Sequence, residues 1–165
     1  MTDLVEGDAA PLFSLALDKG GAVGSGDFRG RSLALYFYPK DDTPGCTRQA
    51  QAFDARAEAF RAVGCTVLGV SPDSADRHAK FRAKYALSIP LASDENKAVL
   101  QAYGVWKQKS MYGRTFMGVE RSTFLIGPDG RIRRIWRKVK VPGHAEEVLQ
   151  AAADLQSSGS APLAD

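Results

Sequence analysis

The sequence contains little cysteine and little histidine. Its 165 residues include two cysteines, Cys46 and Cys65, and two histidines, His78 and His144. Two cysteines do not make a disulfide framework, and neither has a partner at the two-residue spacing of small zinc sites. We therefore expect no structural metal and no cofactor, and any cysteine chemistry to be that of a free thiol.

Long hydrophobic runs are also lacking. The longest apolar stretches, such as residues 33–38, are far shorter than the ~20 residues that a membrane helix needs. The first residues, MTDLVEGD, are acidic and contain no apolar signal region. The shares of hydrophobic residues, 44%, and charged residues, 25%, are typical of a globular domain. We predict a cytoplasmic protein with one domain, residues 1–156, and a disordered tail, residues 157–165.

The chain has no strong excess of one charge, since its net charge is +3. Basic residues are concentrated only in residues 131–140. This segment could be a nucleic-acid patch or a solvated strand whose long side chains cover Ile132, Ile135 and Trp136. Because no recognised nucleic-acid motif accompanies the charges, we favour the solvated strand and expect no nucleic-acid partner.

The hydrophobic pattern alternates between strands and helices. Strands are predicted for residues 32–38, 65–70, 122–127 and 131–139, and helical periodicity is found in residues 47–61 and 144–155. Ser74 is placed to cap a helix that ends near Tyr85, and Ser93-Asp94 to cap a short helix closed by Gly104. Residues 13–17, followed by Lys19-Gly20-Gly21, predict an N-terminal hairpin.

This order of elements indicates an α/β protein. A right-handed crossover makes the strands of residues 32–38 and 65–70 parallel neighbours. A hairpin then joins residues 122–127 to residues 131–139 and adds antiparallel pairing. We therefore predict a thioredoxin-like fold, with a mixed central sheet flanked by helices and an N-terminal β-hairpin.

The most informative segment is the loop that follows the first buried strand. A tight Pro/Gly loop leads to Cys46, between Gly45 and Thr47, in the first turn of the next helix. Sites in α/β sheets gather beyond the carboxyl ends of strands, and a helix N-terminus stabilises a thiolate. Cys46 could be an inert buried residue, but this placement favours a reactive thiol.

Residues Pro39, Thr43 and Cys46 match the Pro-x-x-x-Thr-x-x-Cys motif of peroxiredoxins. The longer string YPKDDTPGCT resembles the bacterioferritin comigratory protein branch, also called Q-type peroxiredoxins. Further matches are VLGVSPDS (67–74), YGVW (103–106), KSMYG (109–113), ERSTFLI (120–126) and WRKVKV (136–141). Because these motifs occur in order over residues 4–155, the resemblance is highly specific.

The resemblance implies a thiol peroxidase that reduces hydrogen peroxide and organic hydroperoxides. Cys46 would be the peroxidatic nucleophile and become a sulfenic acid. Arg121 would face the thiolate and stabilise charge on the leaving oxygen, Thr43 would hydrogen-bond the thiolate or peroxide, and Pro39 would wall the pocket. The residues alone support Cys46 and its loop, but they do not single out Arg121 among 22 basic residues.

The chain departs from many relatives in its second cysteine. Gln51 stands where some relatives carry a resolving cysteine, residues 74–86 contain none, and Gln49 replaces a glutamate common in the family. Cys65 lies beyond the end of the helix that Cys46 begins, roughly 22 Å away, and a disulfide needs Cα atoms within about 7 Å. We therefore expect Cys65 to be a buried strand residue and the enzyme to be of the one-cysteine type.

An external thiol would then reduce the sulfenic acid, and thioredoxin, glutaredoxin and glutathione are all candidates. The branch implies a monomer or weak dimer. Three alternatives stay open: resolution by Cys65, a general disulfide oxidoreductase, and a non-catalytic redox sensor or chaperone on the same fold. The oxidoreductase is disfavoured because its Cys-x-x-Cys motif would require cysteine at Gln49.

Overall fold

A computed structural model describes residues 3–160 of the chain, without the side chains of residues 158–160. The strands are β1 (Ser14–Leu17), β2 (Ala22–Gly24), β3 (Ser32–Phe37), β4 (Cys65–Ser71), β5 (Leu91–Ser93), β6 (Trp106–Met111), β7 (Arg114–Val119), β8 (Ser122–Ile126) and β9 (Ile132–Trp136). The helices are α1 (Pro44–Ala55), α2 (Ala57–Ala62), α3 (Ala75–Tyr85), α4 (Ala98–Ala102) and α5 (His144–Ser160), with a 3₁₀ turn at Ser25–Phe28.

Within residues 3–160, seven strands form one mixed sheet in the order β2-β1-β5-β4-β3-β8-β9. Strand β3 is parallel to β4 and antiparallel to β8. All six residues of β3 are buried, as its uninterrupted apolar sequence predicts for a central strand. Apolar clusters cover both faces of the sheet. The mixed α/β sheet, the N-terminal hairpin and the thioredoxin-like fold are confirmed.

The helix predicted over residues 47–61 is instead two helices. It begins earlier, at Pro44, and is interrupted at Arg56, whose backbone has φ −108° and ψ 10°. The Arg56 guanidinium donates to the Ala52 carbonyl at 3.0 Å and pairs with Glu146 of α5 at 2.6 Å. The side chain therefore caps the end of α1, and the chain turns before α2 begins.

Other elements also differ from the prediction. Ser93 belongs to strand β5, which was not predicted, rather than to a helix cap, and the short helix begins only at Ala98. Asp94 nevertheless contacts this helix, because its carboxylate accepts from the Leu100 amide at 2.7 Å. The basic strand is shorter than expected and spans Ile132–Trp136. The hairpin of β6 and β7 was not predicted, because its largely polar, exposed residues carry no buried alternation.

Helix α5 continues to Ser160 and so includes the first four residues, 157–160, of the predicted disordered tail; the tail itself stays a prediction. Each residue added to an existing helix forms one backbone hydrogen bond, so a helix already packed against the core extends at low cost. Residues 161–165 of that prediction lie outside the described residues.

Candidate active site

Cys46 is the third residue of α1, just beyond the carboxyl end of β3. Pro44 is the first helical residue, where its missing N–H costs no hydrogen bond. The first helical bond runs from the Thr47 amide to the Thr43 carbonyl at 2.8 Å, so amides before Thr47 have no acceptor within the helix. Those amides and the helix dipole place partial positive charge beside the sulfur. Cys46 itself is 2% exposed.

The Arg121 side chain reaches the same sulfur from the other side of the site. Its Nη2 donates to Cys46 Sγ at 3.4 Å, and its Nη1 donates to Gln49 Oε1 at 2.5 Å. Arg121 immediately precedes β8, whose first residue, Ser122, pairs with Phe37 at the end of β3. The antiparallel register therefore brings Arg121 to the residues that follow β3, although 75 positions separate it from Cys46.

Gly45 leaves the space that the guanidinium uses. A Cβ atom at this position would lie 3.3 Å from Arg121 Nη2, closer than an unstrained contact between such atoms. The absence of a side chain thus permits the approach of Arg121 to the first turn of α1.

Thr43 and Pro39 lie on the loop that connects β3 to α1. The Thr43 hydroxyl donates to the Lys40 carbonyl at 2.9 Å. Its single proton is therefore used inside the loop, while its oxygen can still accept a hydrogen bond. Pro39 is half-buried. The roles predicted for these two residues, a hydrogen bond to thiolate or peroxide and a pocket wall, stay predictions.

Buried aromatic rings belong to the same apolar cluster as Cys46. Tyr36 stacks on Phe53, with ring centroids 4.7 Å apart, and on Tyr38, at 5.5 Å. Burial strongly raises the pKa of Tyr36, and the nearby charges of Cys46 and Asp41 raise it further. The phenol therefore remains neutral, and the rings restrict water next to Cys46.

Cys65 lies at the opposite end of the sheet. It pairs with Ser32, the first residue of β3, whereas Cys46 follows the last. The six residues of β3 span about 20 Å at ~3.3 Å each. Cys65 is 4% exposed, and burial raises the pKa of its thiol to about 12. This thiol is neutral and enclosed.

Among the described residues, one group of side chains has the spacing of a metal site: Asp41, Asp73 and His78. Protein groups already occupy these atoms, because His78 Nδ1 lies 2.5 Å from Asp41 Oδ2 and Asp73 Oδ2 accepts from Ser71 and the Asp41 amide. The group is therefore a hydrogen-bond network. In the part of the chain that the structure describes, no helix has both the length and the apolar character to span a bilayer.

Sequence reasoning identified Cys46, and the family resemblance identified Arg121. From the sequence, Gln49 was recognised only as a departure from the family, and the space that Gly45 leaves for the Arg121 guanidinium was not predicted. A polar residue one turn after the cysteine is a weak signal, because helices commonly expose glutamine. The contact with Arg121 becomes visible only when β8 is paired with β3.

Comparison with known proteins identifies the family of the chain. The AhpC/TSA family matches residues 6–135. The peroxiredoxin Bcp of Bacillus subtilis is 44% identical over 149 residues, which are 90% of this chain and 95% of that protein. The peroxiredoxin Bcp of Xanthomonas campestris is 45% identical over 153 residues, 92% of this chain and 96% of that protein.

Solved structures of peroxiredoxins are also similar to this chain. A structure of Xanthomonas campestris peroxiredoxin Q has a TM-score of 0.86 and 42% identity, covering 93% of this chain and 98% of that chain. A second, of the bacterioferritin comigratory protein from the same organism, was solved to study alkyl peroxide reduction; its TM-score is 0.86, and it covers 94% of this chain and 99% of that chain. The chain belongs to the AhpC/TSA family and is a thiol peroxidase of its Bcp peroxiredoxin branch.

Proposed function

We propose that Cys46 is the peroxidatic nucleophile of a one-cysteine peroxidase and that an external thiol reduces its oxidised form. The contact between Arg121 Nη2 and Cys46 Sγ carries this proposal. A fixed positive charge beside a sulfur at a helix N-terminus favours the thiolate, which is the form that attacks peroxides.

The first half-reaction oxidises the cysteine. The thiolate attacks one peroxide oxygen, an S–O bond forms and the O–O bond breaks. The leaving oxygen takes a proton to become water or an alcohol, and Cys46 becomes a sulfenic acid. Arg121 stabilises the negative charge that develops on the leaving oxygen, and Gln49 holds the guanidinium in place.

The second half-reaction consumes two thiols. The first attacks the sulfenic sulfur, an S–S bond forms and the S–O bond breaks, and the hydroxide leaves as water. The second thiol attacks this mixed disulfide, releases an external disulfide and restores the Cys46 thiol. Thioredoxin, glutaredoxin and glutathione each supply the required chemistry.

Thr43 and Pro39 complete the proposed site. Because the Thr43 hydroxyl donates to Lys40, its oxygen is free to accept the O–H of a bound hydroperoxide. Pro39 presents an apolar ring without an N–H on the same loop and limits water. The substrates are hydrogen peroxide and organic hydroperoxides, and the alkyl peroxide reduction studied in the Xanthomonas campestris relative supports the organic class.

Cys65 does not resolve the sulfenic acid in this proposal. A thiol with a pKa of about 12 is almost entirely protonated near neutral pH, and only a thiolate attacks efficiently. Its position at the other end of β3 also exceeds the Cα separation that a disulfide permits. The monomeric or weakly dimeric state and the cytoplasmic location stay predictions.

Intact mass spectrometry tests the proposal. Wild type, Cys65→Ser and Cys46→Ser are treated with one equivalent of hydrogen peroxide, with and without a sulfenic-acid trap. We expect one added oxygen or one trap adduct in wild type and Cys65→Ser, and neither in Cys46→Ser. A loss of two hydrogens that disappears in Cys65→Ser would instead show that Cys65 resolves the sulfenic acid.

A further inference from the structure

A buried polar network fastens the loop before Cys46 to helix α3. The Asp41 carboxylate, on a residue 3% exposed, lies 2.5 Å from His78 Nδ1 through Oδ2 and accepts from the Tyr38 hydroxyl at 2.5 Å through Oδ1. His78 is fully buried, and its Nε2 donates to the Ala92 carbonyl at 2.9 Å. Because a carbonyl can only accept, Nε2 carries the proton in this bond, and the bond to Ala92 of β5 fixes which ring nitrogen faces Asp41.

Two further connections hold the same loop. The Asp41 amide donates to Asp73 Oδ2 at 2.8 Å, in the segment between β4 and α3. Asp42, which has a positive φ of 63°, accepts from Lys84 Nζ at 2.8 Å and from the Tyr85 hydroxyl at 2.6 Å at the end of α3. The Asp41–His78 bond is buried, whereas the Asp73 link is part-buried and the Asp42 links are exposed, so among the links from the loop to α3 and its preceding segment water competes least for Asp41–His78.

Burying the Asp41 carboxylate and the His78 imidazole removes both groups from water, and the free-energy cost must be offset by their interaction within the fold. A buried carboxylate and imidazole are stabilised only while each satisfies the other, and loss of one partner leaves the other unpaired. Asp41 stands two residues before Thr43 and five before Cys46. A movement of Asp41 away from α3 would therefore shift the loop and the first turn of α1 together.

The closed loop affects the two half-reactions in opposite ways. It keeps Cys46 2% exposed and beside Arg121, which favours attack on a small peroxide. The same enclosure hinders a large thiol, which must bring its own sulfur to within bonding distance of Cys46. A change that loosens the loop should slow the first reaction and hasten the second.

We propose that Asp41 and His78 are positioning residues that hold the loop of residues 38–43 closed, which speeds peroxide attack and restricts protein thiols at oxidised Cys46. This role rests on the proposed function of Cys46. His78 touches no reacting atom and acts through Asp41 and the loop.

Two substitutions at His78 separate the role from simple loss of stability. His78→Gln keeps a donor near the Ala92 carbonyl and loses the bond to Asp41, whereas His78→Asn keeps an amide donor near Asp41. Tyr103→Phe is the control, because it removes the hydrogen bond of a buried side chain, to the Pro11 carbonyl at 2.7 Å, on the other face of the sheet.

Hydrogen exchange of the reduced proteins measures the loop directly. We expect amides in residues 38–47 to exchange at least tenfold faster in His78→Gln, with smaller changes in His78→Asn and none in Tyr103→Phe. Exchange in β8 and β9 should remain at the wild-type rate. Unchanged exchange in residues 38–47 of His78→Gln would overturn the proposal, whether or not the enzyme consumes peroxide.

Separate half-reactions measure the consequence. In His78→Gln we expect oxidation by hydrogen peroxide to slow at least tenfold, while reduction of the pre-oxidised enzyme by thioredoxin becomes faster and reduction by glutathione changes less. Equal slowing of oxidation and of both reductions would show a merely structural role and overturn the proposal. Absence of peroxide consumption in wild type would instead refute the proposed function, while the exchange result would still decide whether His78 holds the loop.

Discussion

Gly69 and Tyr36 are paired across β4 and β3, and the ring of Tyr36 occupies the space that a side chain at Gly69 would need. A Cβ atom at Gly69 would lie 2.7 Å from Tyr36 Cζ and 2.8 Å from its hydroxyl oxygen. Tyr36 is fully buried and packs on Phe53 of α1. The missing side chain of Gly69 therefore helps to place the aromatic wall beside Cys46.

Gly69→Ala should destabilise the protein. The added methyl group cannot avoid the buried ring without moving it, and such overpacking costs about 1–3 kcal/mol. Urea unfolding should show a lower midpoint with an unchanged slope. Gly26→Ala is the control, because no atom lies within 4 Å of its Cβ position, and its midpoint should stay close to that of wild type.

Arg121→Ala should slow the oxidation of Cys46 by about 10²–10³-fold, the range found when one preorganised donor to a developing charge is removed. The loss follows from the Nη2 contact at 3.4 Å. Stopped-flow mixing with hydrogen peroxide measures the rate. Arg133→Ala removes an exposed arginine of β9, which pairs with Asp129 in the preceding turn. A comparable slowing in that variant would mean that general charge, rather than the position of Arg121, matters.

Gln49→Ala should slow the same reaction less than Arg121→Ala, by about tenfold. Gln49 holds the guanidinium through Oε1 but does not touch the sulfur. Because both side chains act through one contact, the double variant should be no slower than Arg121→Ala alone. If the double variant instead oxidised more slowly than Arg121→Ala by the full Gln49→Ala factor, Gln49 would act independently of Arg121.

Gly45→Ala should reduce activity through crowding. Its Cβ atom would lie 3.3 Å from Arg121 Nη2, so the guanidinium must move by a few tenths of an ångström. We expect a several-fold slower oxidation by hydrogen peroxide with little change in the urea midpoint. A wild-type rate would show that the arginine tolerates the displacement.

His144 should make the protein less stable in mild acid. The pKa of His144 is lowered to about 4, chiefly by burial; the Glu147 charge opposes this shift and the Arg121 charge adds to it. Between pH 6.5 and 4 the unfolded chain therefore binds a proton that the folded chain does not. The free energy of unfolding is highest above pH 6.5 on this account and decreases as the pH falls through this window.

The corresponding measurement compares wild type with His144→Gln. Glutamine keeps a polar group near Thr123 Oγ1, which lies 2.8 Å from His144 Nε2, but does not titrate. The loss of stability between pH 7 and pH 4.5 should be smaller in the variant by about 1–3 kcal/mol. The same loss in both proteins would assign the acid sensitivity to other groups.

The sequence by itself determined the elements whose signals are local. Strand β3 is an uninterrupted apolar run, Ser74 caps α3 by accepting from the Arg77 amide at 3.2 Å, and Cys46 follows a Pro/Gly loop into a helix. Each depends on neighbouring residues whose backbone preferences agree. Strand β5 and the hairpin of β6 and β7 were missed, because short or exposed strands gain their stability from pairing rather than from an apolar pattern of their own.

Only the tertiary structure decided which distant side chains meet. The register of β8 against β3 places Arg121 beside Cys46 and Gln49, and the packing of α3 places His78 on Asp41. The space at Gly69 depends on the pairing of β4 with β3. Sequence periodicity specifies which face of an element is buried, but these contacts join residues about 30 to 75 positions apart and depend on how whole elements are paired and packed.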